Sequence, residues 1–95
     1  MLENSLRLAV QTGKVVFGHD RTVKLAKEKK AKLIVVASNY RADRELVEKN
    51  TYNGVPILRF PGTNVELGRV CGRRFAVSVL GIIDPGNSDL LNEKA

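Results

Sequence analysis

The sequence has 95 residues, enough for one compact domain with a real core but small for an enzyme with a closed cleft. Its 16 Lys plus Arg outnumber 10 Asp plus Glu, giving a formal charge of +6 and a pI near 9.8. That balance suits a polyanionic partner, although a basic protein that binds no nucleic acid would carry it too. The single Cys71 excludes an internal disulfide and fits a reducing cytosol. No apolar run reaches the ~20 residues of a membrane span, and the polar stretch Met1–Ser5 lacks the basic n-region of a signal peptide.

In chain order, Leu2, Leu6, Ala9 and Val10 fall at i, i+4, i+7 and i+8, one face of a helix that Gly13 stops. Val15-Val16-Phe17 reads as a strand. Asp20 to Lys30 reads as a second helix, with Val23 and Ala26 inward and Lys24, Lys27 and Lys30 toward solvent. Leu33 to Ala37 is apolar without alternation, which suits a central strand covered on both faces. Ala42 to Asn50 predicts a third, acidic-surfaced helix, and Gly54 ends the turn after it. Ile57 to Phe60 predicts a strand opened by Pro56, a residue suited to an edge or a strand start.

Gly62-Thr63-Asn64-Val65-Glu66-Leu67-Gly68 carries the strongest local signal. Thr63 and Glu66 have the spacing of a capping box, in which each side chain satisfies a backbone donor of the other residue. Val65, Leu67 and Val70 are expected to supply apolar contacts, and Gly72 is a natural left-handed stop. Phe75 to Ile83 predicts the last strand, Asp84-Pro85-Gly86 a turn, and Ser88 the cap of a weak terminal helix carrying Leu90 and Leu91. Strands and helices alternate. The expected fold class is therefore α/β, with helices on both faces of a mixed sheet of about four strands, as one domain over residues 1–95.

In such a sheet ligands bind beyond the strand ends, where loops lead into helices, and three loops there carry informative residues. In Gly18-His19-Asp20-Arg21-Thr22, a helix N-terminus with Arg21 and Lys24 within a turn can cradle a phosphate or a base edge. The same residues also read as an ordinary helix start capped by Asp20. In Ser38-Asn39-Tyr40-Arg41, Asn39 can pair with a base edge and Tyr40 can stack, or Asn39 merely caps the next helix. In Arg73-Arg74-Phe75, two guanidinium groups precede one of only three Phe in a chain without Trp. The ring either stacks on a base or points into the core. Catalytic readings fare poorly. One His and one Cys cannot assemble a Cys/His zinc site. Ser38 has no nucleophile-elbow pattern around it, and Cys71 reads as a small core residue. No cofactor, metal or catalytic residue is expected.

The residues resemble a known family. Thr12-Gly13-Lys14, Gly18 with Thr22-Val23-Lys24, and Lys32 to Asn39 are similar to the large-subunit ribosomal protein thirty-e family of archaea and eukaryotes. So are Gly62 to Gly68, Gly72-Arg73-Arg74-Phe75 and Asp84 to Asp89. That family belongs to the kink-turn RNA-binding superfamily, and the match runs nearly end to end. The resemblance implies a three-layer α/β/α sandwich and a binding role, not catalysis. The implied role is a constituent of the large ribosomal subunit, in the cytoplasm. It would bind kink-turn-like rRNA beside neighbouring ribosomal proteins, with no membrane or small-molecule substrate, and be monomeric when free. A related module acting on guide RNA or its own transcript is the second reading. Carried over by position, the implied RNA-binding residues are Gly18, His19, Asp20, Arg21 and Lys24, then Asn39, then Arg73, Arg74 and Phe75. Asp20 departs from the Asn, Lys or Arg usual at its place. A carboxylate there can accept from guanine N1 and N2 or cap the helix, but it repels phosphate.

Overall fold

The computed structural model describes residues 2–41, 44–48, 51–84 and 86. Helix α1 (Leu2–Thr12) precedes β1 (Lys14–Phe17), and α2 (His19–Lys27) precedes β2 (Leu33–Ala37). Then come α3 (Arg44–Glu48), β3 (Thr51–Tyr52), β4 (Val55–Phe60), α4 (Asn64–Val70) and β5 (Val79–Asp84). The expected terminal helix and the ends of the third lie outside the described residues.

Among the described residues the sheet has five strands in the order β1-β5-β2-β4-β3. Only β2 and β4 run parallel, Ile34 opposite Ile57 through Ala37 opposite Phe60; β5 is antiparallel to both β1 and β2, and β3 to β4. β2 is central, and every one of its residues is buried. It serves two cores because its side chains alternate. Leu33, Val35 and Ala37 join Leu6 and Ala9 of α1 and Leu67 and Val70 of α4 on one face. Ile34 and Val36 join Ala26 of α2 and Leu46 of α3 on the other. Helices thus cover both faces, as the three-layer expectation required.

The expectation of about four strands missed β3. Asn53 and Gly54 both have positive φ, 51° and 84°, and they join Tyr52 directly to its partner Val55. Two central residues with φ > 0 make the hairpin turn that Asn-Gly favours. β4 accordingly begins at Val55, with Pro56 inside it.

The last strand is shorter than expected. It starts at Val79, and Phe75 to Ser78 form a loop. The stretch is tied to α4 instead: Val77 N–H donates to the Asn64 carbonyl at 3.0 Å, and Arg73 N–H, just before the loop, to the Gly68 carbonyl at 2.9 Å. Gly68 permits this, because a Cβ there would collide with the carbonyl oxygen of Phe75.

The directions of the strands gather four loops at one end. β1, β2 and β4 finish there and β5 begins there, so Gly18, Ser38, Gly62 and Ser78 converge. Gly18 N–H donates to Val79 O, Ser38 N–H to Gly62 O and Ala37 N–H to Ser78 O, each at 2.9–3.0 Å.

Candidate nucleic-acid interface

Gly18 turns the chain from β1 into α2 with φ 106° and ψ 152°, a backbone that L side chains rarely adopt. It is itself the N-cap, and no side chain caps the helix. Asp20 therefore sits inside the first turn instead of capping it. Its exposed carboxylate meets His19 Nδ1 at 3.0 Å. The first N–H groups of a helix have no intrahelical partner, so the start of α2 offers donors and the positive end of a dipole. No atom lies within 4 Å of where a Gly18 Cβ would stand, so this backbone faces open space.

That space is an open groove of about 490 Å³ lined by Phe17, Gly18, His19, Arg21, Tyr40 and residues 75–79. Phe75 is 58% exposed. The Phe17 ring meets it edge to face, 6.5 Å between centroids, and the Arg73 guanidinium lies 4.6 Å over the Phe17 ring. His19 and Tyr40 stack at 6.4 Å. An aromatic floor beside cations can accept a base on its faces and phosphates at its rim. Arg74 is exposed in the same loop.

Asn39 is spent on architecture. Its Oδ1 accepts the Asn64 N–H at 3.0 Å, and its Nδ2 donates to Asn64 Oδ1 at 3.0 Å. It thus caps α4, 25 residues away, and not the helix that follows it. Asn64 Nδ2 reaches on to Ser78 Oγ at 3.4 Å. The loops after β2 and before β5 are therefore tied to one helix start. That start is further fixed by the capping box: Glu66 N–H donates to Thr63 Oγ1, and Thr63 N–H to Glu66 Oε1. Leu67 and Val70 are its buried apolar residues, while Val65 is 55% exposed.

The family model described as the ribosomal protein L7Ae/L30e/S12e/Gadd45 family matches residues 1–92. The chain belongs to this family. Among its relatives are three archaeal proteins named large ribosomal subunit protein eL30. The one from Methanosarcina mazei is 46% identical over 95% of this chain and 85% of its own length. Those from Sulfurisphaera tokodaii and Methanopyrus kandleri are 39% and 44% identical, covering 96% and 95% of this chain and 88% and 84% of their own lengths.

Of the residues expected from sequence, Gly18, His19, Arg21 and Phe75 line the groove, and Arg73 borders it through Phe17. Lys24 and Asp20 lie on an adjoining surface that His19 joins to the groove, shared with Val23, Lys27 and Glu28. Asn39 joins the site only through Asn64 and Ser78. Phe17, Val77 and Ser78 were missed. For Phe17 the signal was present: an aromatic ending a strand immediately before a positive-φ glycine. Cys71 is buried, and burial pushes its thiol up to about 11, with Arg73 lowering it only in part. At neutral pH it is a thiol and not a nucleophile.

Proposed function

We propose that residues 1–95 form one RNA-binding domain, a structural constituent of the large ribosomal subunit that binds kink-turn-like rRNA and stabilises its bent fold. The observation that carries the reading is the exposed Phe75 ring on the groove, flanked by Arg73 and Arg74 and facing the uncapped start of α2. Family membership and the eL30 names of the archaeal relatives support it. A kinked RNA exposes sheared G·A pairs and a flipped nucleotide. Sequence recognition of RNA targets such non-helical features because the A-form major groove is too narrow for side chains.

In this reading the flipped base lies on the Phe75 and Phe17 rings, and the α2 start meets the kinked backbone. Arg21, Arg73 and Arg74 neutralise phosphates, and His19 and Asp20 face base edges. Lys24 adds charge one turn along α2, and Asn39 holds the loops in register. The protein binds and turns nothing over. It acts in the cytoplasm beside other ribosomal proteins and is a monomer when free.

The test is a titration with a kink-turn RNA against a control whose G·A pairs are replaced by Watson–Crick pairs. Preference for the kinked RNA, and co-sedimentation with salt-washed large subunits, are expected. Equal affinity for both RNAs would refute kink-turn recognition. Sedimentation velocity of the free protein checks the monomer.

A further inference from the structure

Exposed cations mark both ends of the sheet. Three of the eight arginines, Arg21, Arg73 and Arg74, lie at the groove. Five of the eight lysines lie at the other end. Lys14 opens β1 opposite Asp84, and Lys32 donates its N–H to Ile82 O at 2.7 Å just before β2. Both therefore flank the finish of β5. Lys27, Lys29 and Lys30 end α2, which runs back from the groove to this same pole. All five side chains are exposed. Among the described residues the acids beside them are Glu28, 3.6 Å from Lys30 Nζ, and Asp84.

A helix C-terminus attracts cations through its dipole, which accounts for Lys24 and Lys27. It does not account for Lys14, on a strand, or for Lys29. Lys29 has φ 60°. Its N–H bonds to Ala26 O at 3.1 Å, and that of Lys30 to Leu25 O at 2.9 Å. These are the two bonds of a Schellman stop, and Lys29 fills its left-handed position, where glycine is strongly favoured. A lysine is held there against the backbone preference, and strain of this kind points from the outlier toward a use for the side chain.

We infer that this lysine pole is a second RNA-binding surface, which holds the phosphates of a regular RNA duplex while the groove is occupied. Lysine offers point charges and not the planar fork that reads base edges. The most exposed aromatic ring, Phe75, lies at the far pole, whereas the ring at the lysine end, Tyr52, is half-buried and packed against the core. The surface suits sequence-independent contact with a duplex backbone. α2 separates the poles by roughly 13 Å, at about 1.5 Å per residue. Two RNA segments can then engage one molecule, and the protein cross-braces them. The inference adds a surface to the groove reading and does not depend on it.

The test uses the full chain, a short kink-turn RNA and a fully paired RNA duplex without a kink. Wild-type protein saturated with the kink-turn RNA is expected to bind the duplex as well. Replacing Lys14, Lys29, Lys30 and Lys32 together by Gln should weaken duplex binding at least about tenfold and make its log-log salt slope shallower by roughly 3, at about 0.7–0.9 per phosphate contact. Kink-turn affinity should fall by no more than about threefold, since the poles are roughly 13 Å apart, more than one Debye length of about 8–10 Å. Displacement of the duplex by the kink-turn RNA would overturn the inference. So would equal loss of both RNAs, or unchanged duplex binding by the variant. Wild-type protein that holds the duplex but prefers no kinked RNA would instead refute the groove reading alone. Lys29→Gly separates structure from function by sign. It should raise the melting temperature and weaken duplex binding; a rise with duplex affinity intact would count against the inference.

Discussion

Phe75→Ala separates a packing role from a presented one. A buried Phe truncated to Ala costs about 3–5 kcal/mol, from lost transfer energy plus a cavity. Phe75 is 58% exposed, so somewhat under half of its side chain is out of water. Phe buries about 150–250 Å² when fully covered. Less than half of that, at about 25 cal/mol per Å², gives about 1.5 kcal/mol once the retained Cβ is allowed for. The edge-to-face pair with Phe17 at 6.5 Å adds about 0.5–1.5 kcal/mol. No closed cavity forms, because the groove is open. The expected stability loss is therefore about 2 kcal/mol, larger than for a freely waving loop residue and well short of a core residue. Kink-turn affinity should fall by a further 1–3 kcal/mol or so, the worth of one stacked base. Urea melts and a kink-turn titration on the same variant measure both. A stability loss above about 3 kcal/mol, with unchanged affinity of the folded fraction, would refute the stacking reasoning.

Gly18→Val should cost about 1–3 kcal/mol of stability from its φ of 106°. It should also lower kink-turn affinity beyond the lost folded fraction, because the new side chain stands in the groove; a titration corrected by urea melts decides, and a purely proportional loss would reduce Gly18 to a turn residue. Gly68→Ala should destabilise by about 1–3 kcal/mol as an overpacking change and push the Phe75 carbonyl off α4, visible as increased hydrogen exchange at Arg73 and Val77. Log affinity for the kink-turn RNA should fall linearly with log salt, with a slope of roughly −3 if four of Arg21, Lys24, Arg73 and Arg74 meet phosphates; a flat dependence would count against that set. Folding raises the Cys71 pKa from 9.0 to about 11, so the stability this thiol contributes is complete below pH 9 and declines between about pH 9 and about pH 11. Guanidinium melts across that window should decline less steeply for Cys71→Ala than for wild type.

The features legible in the sequence are those decided within a few residues. The unbroken apolar run of β2, the inward Val23 and Ala26 of α2 and the Thr63–Glu66 box each follow from local periodicity or a local cap. The Asn53-Gly54 hairpin was equally local and was overlooked. What could not be read depends on partners far along the chain. Phe75 to Ser78 have the composition of a strand, but Val77 N–H is drawn to Asn64 O of α4 and Arg73 N–H just before them to Gly68 O. Val65 sits on an apolar-looking helix turn, and only the direction of that turn toward solvent leaves it exposed. Asp20 follows the glycine that caps α2 by two residues, so a plausible cap falls two positions too late.

Asn39 shows how a residue can belong to a binding site without offering its own polar atoms to the ligand. Both ends of its amide are engaged by Asn64, and using either on a base would leave an α4 N–H or the Asn64 oxygen without its partner, a cost of about 1–3 kcal/mol where the group stays buried. Base contact and loop bracing are therefore competitors at this position. Bracing has the stronger physical case, because it ties the loop after β2, which carries Tyr40, and the loop before β5, which carries Phe75, to the start of α4. Ser38 adds a second tie of the same kind, its Oγ donating to Gly62 O at 2.8 Å. Loops fastened to one another before RNA arrives lose less conformational entropy on binding, and affinity rises by that saving without any additional contact. The groove is thus built from loop residues but held by α4, whose start is fixed by Thr63, Glu66 and Asn39 together.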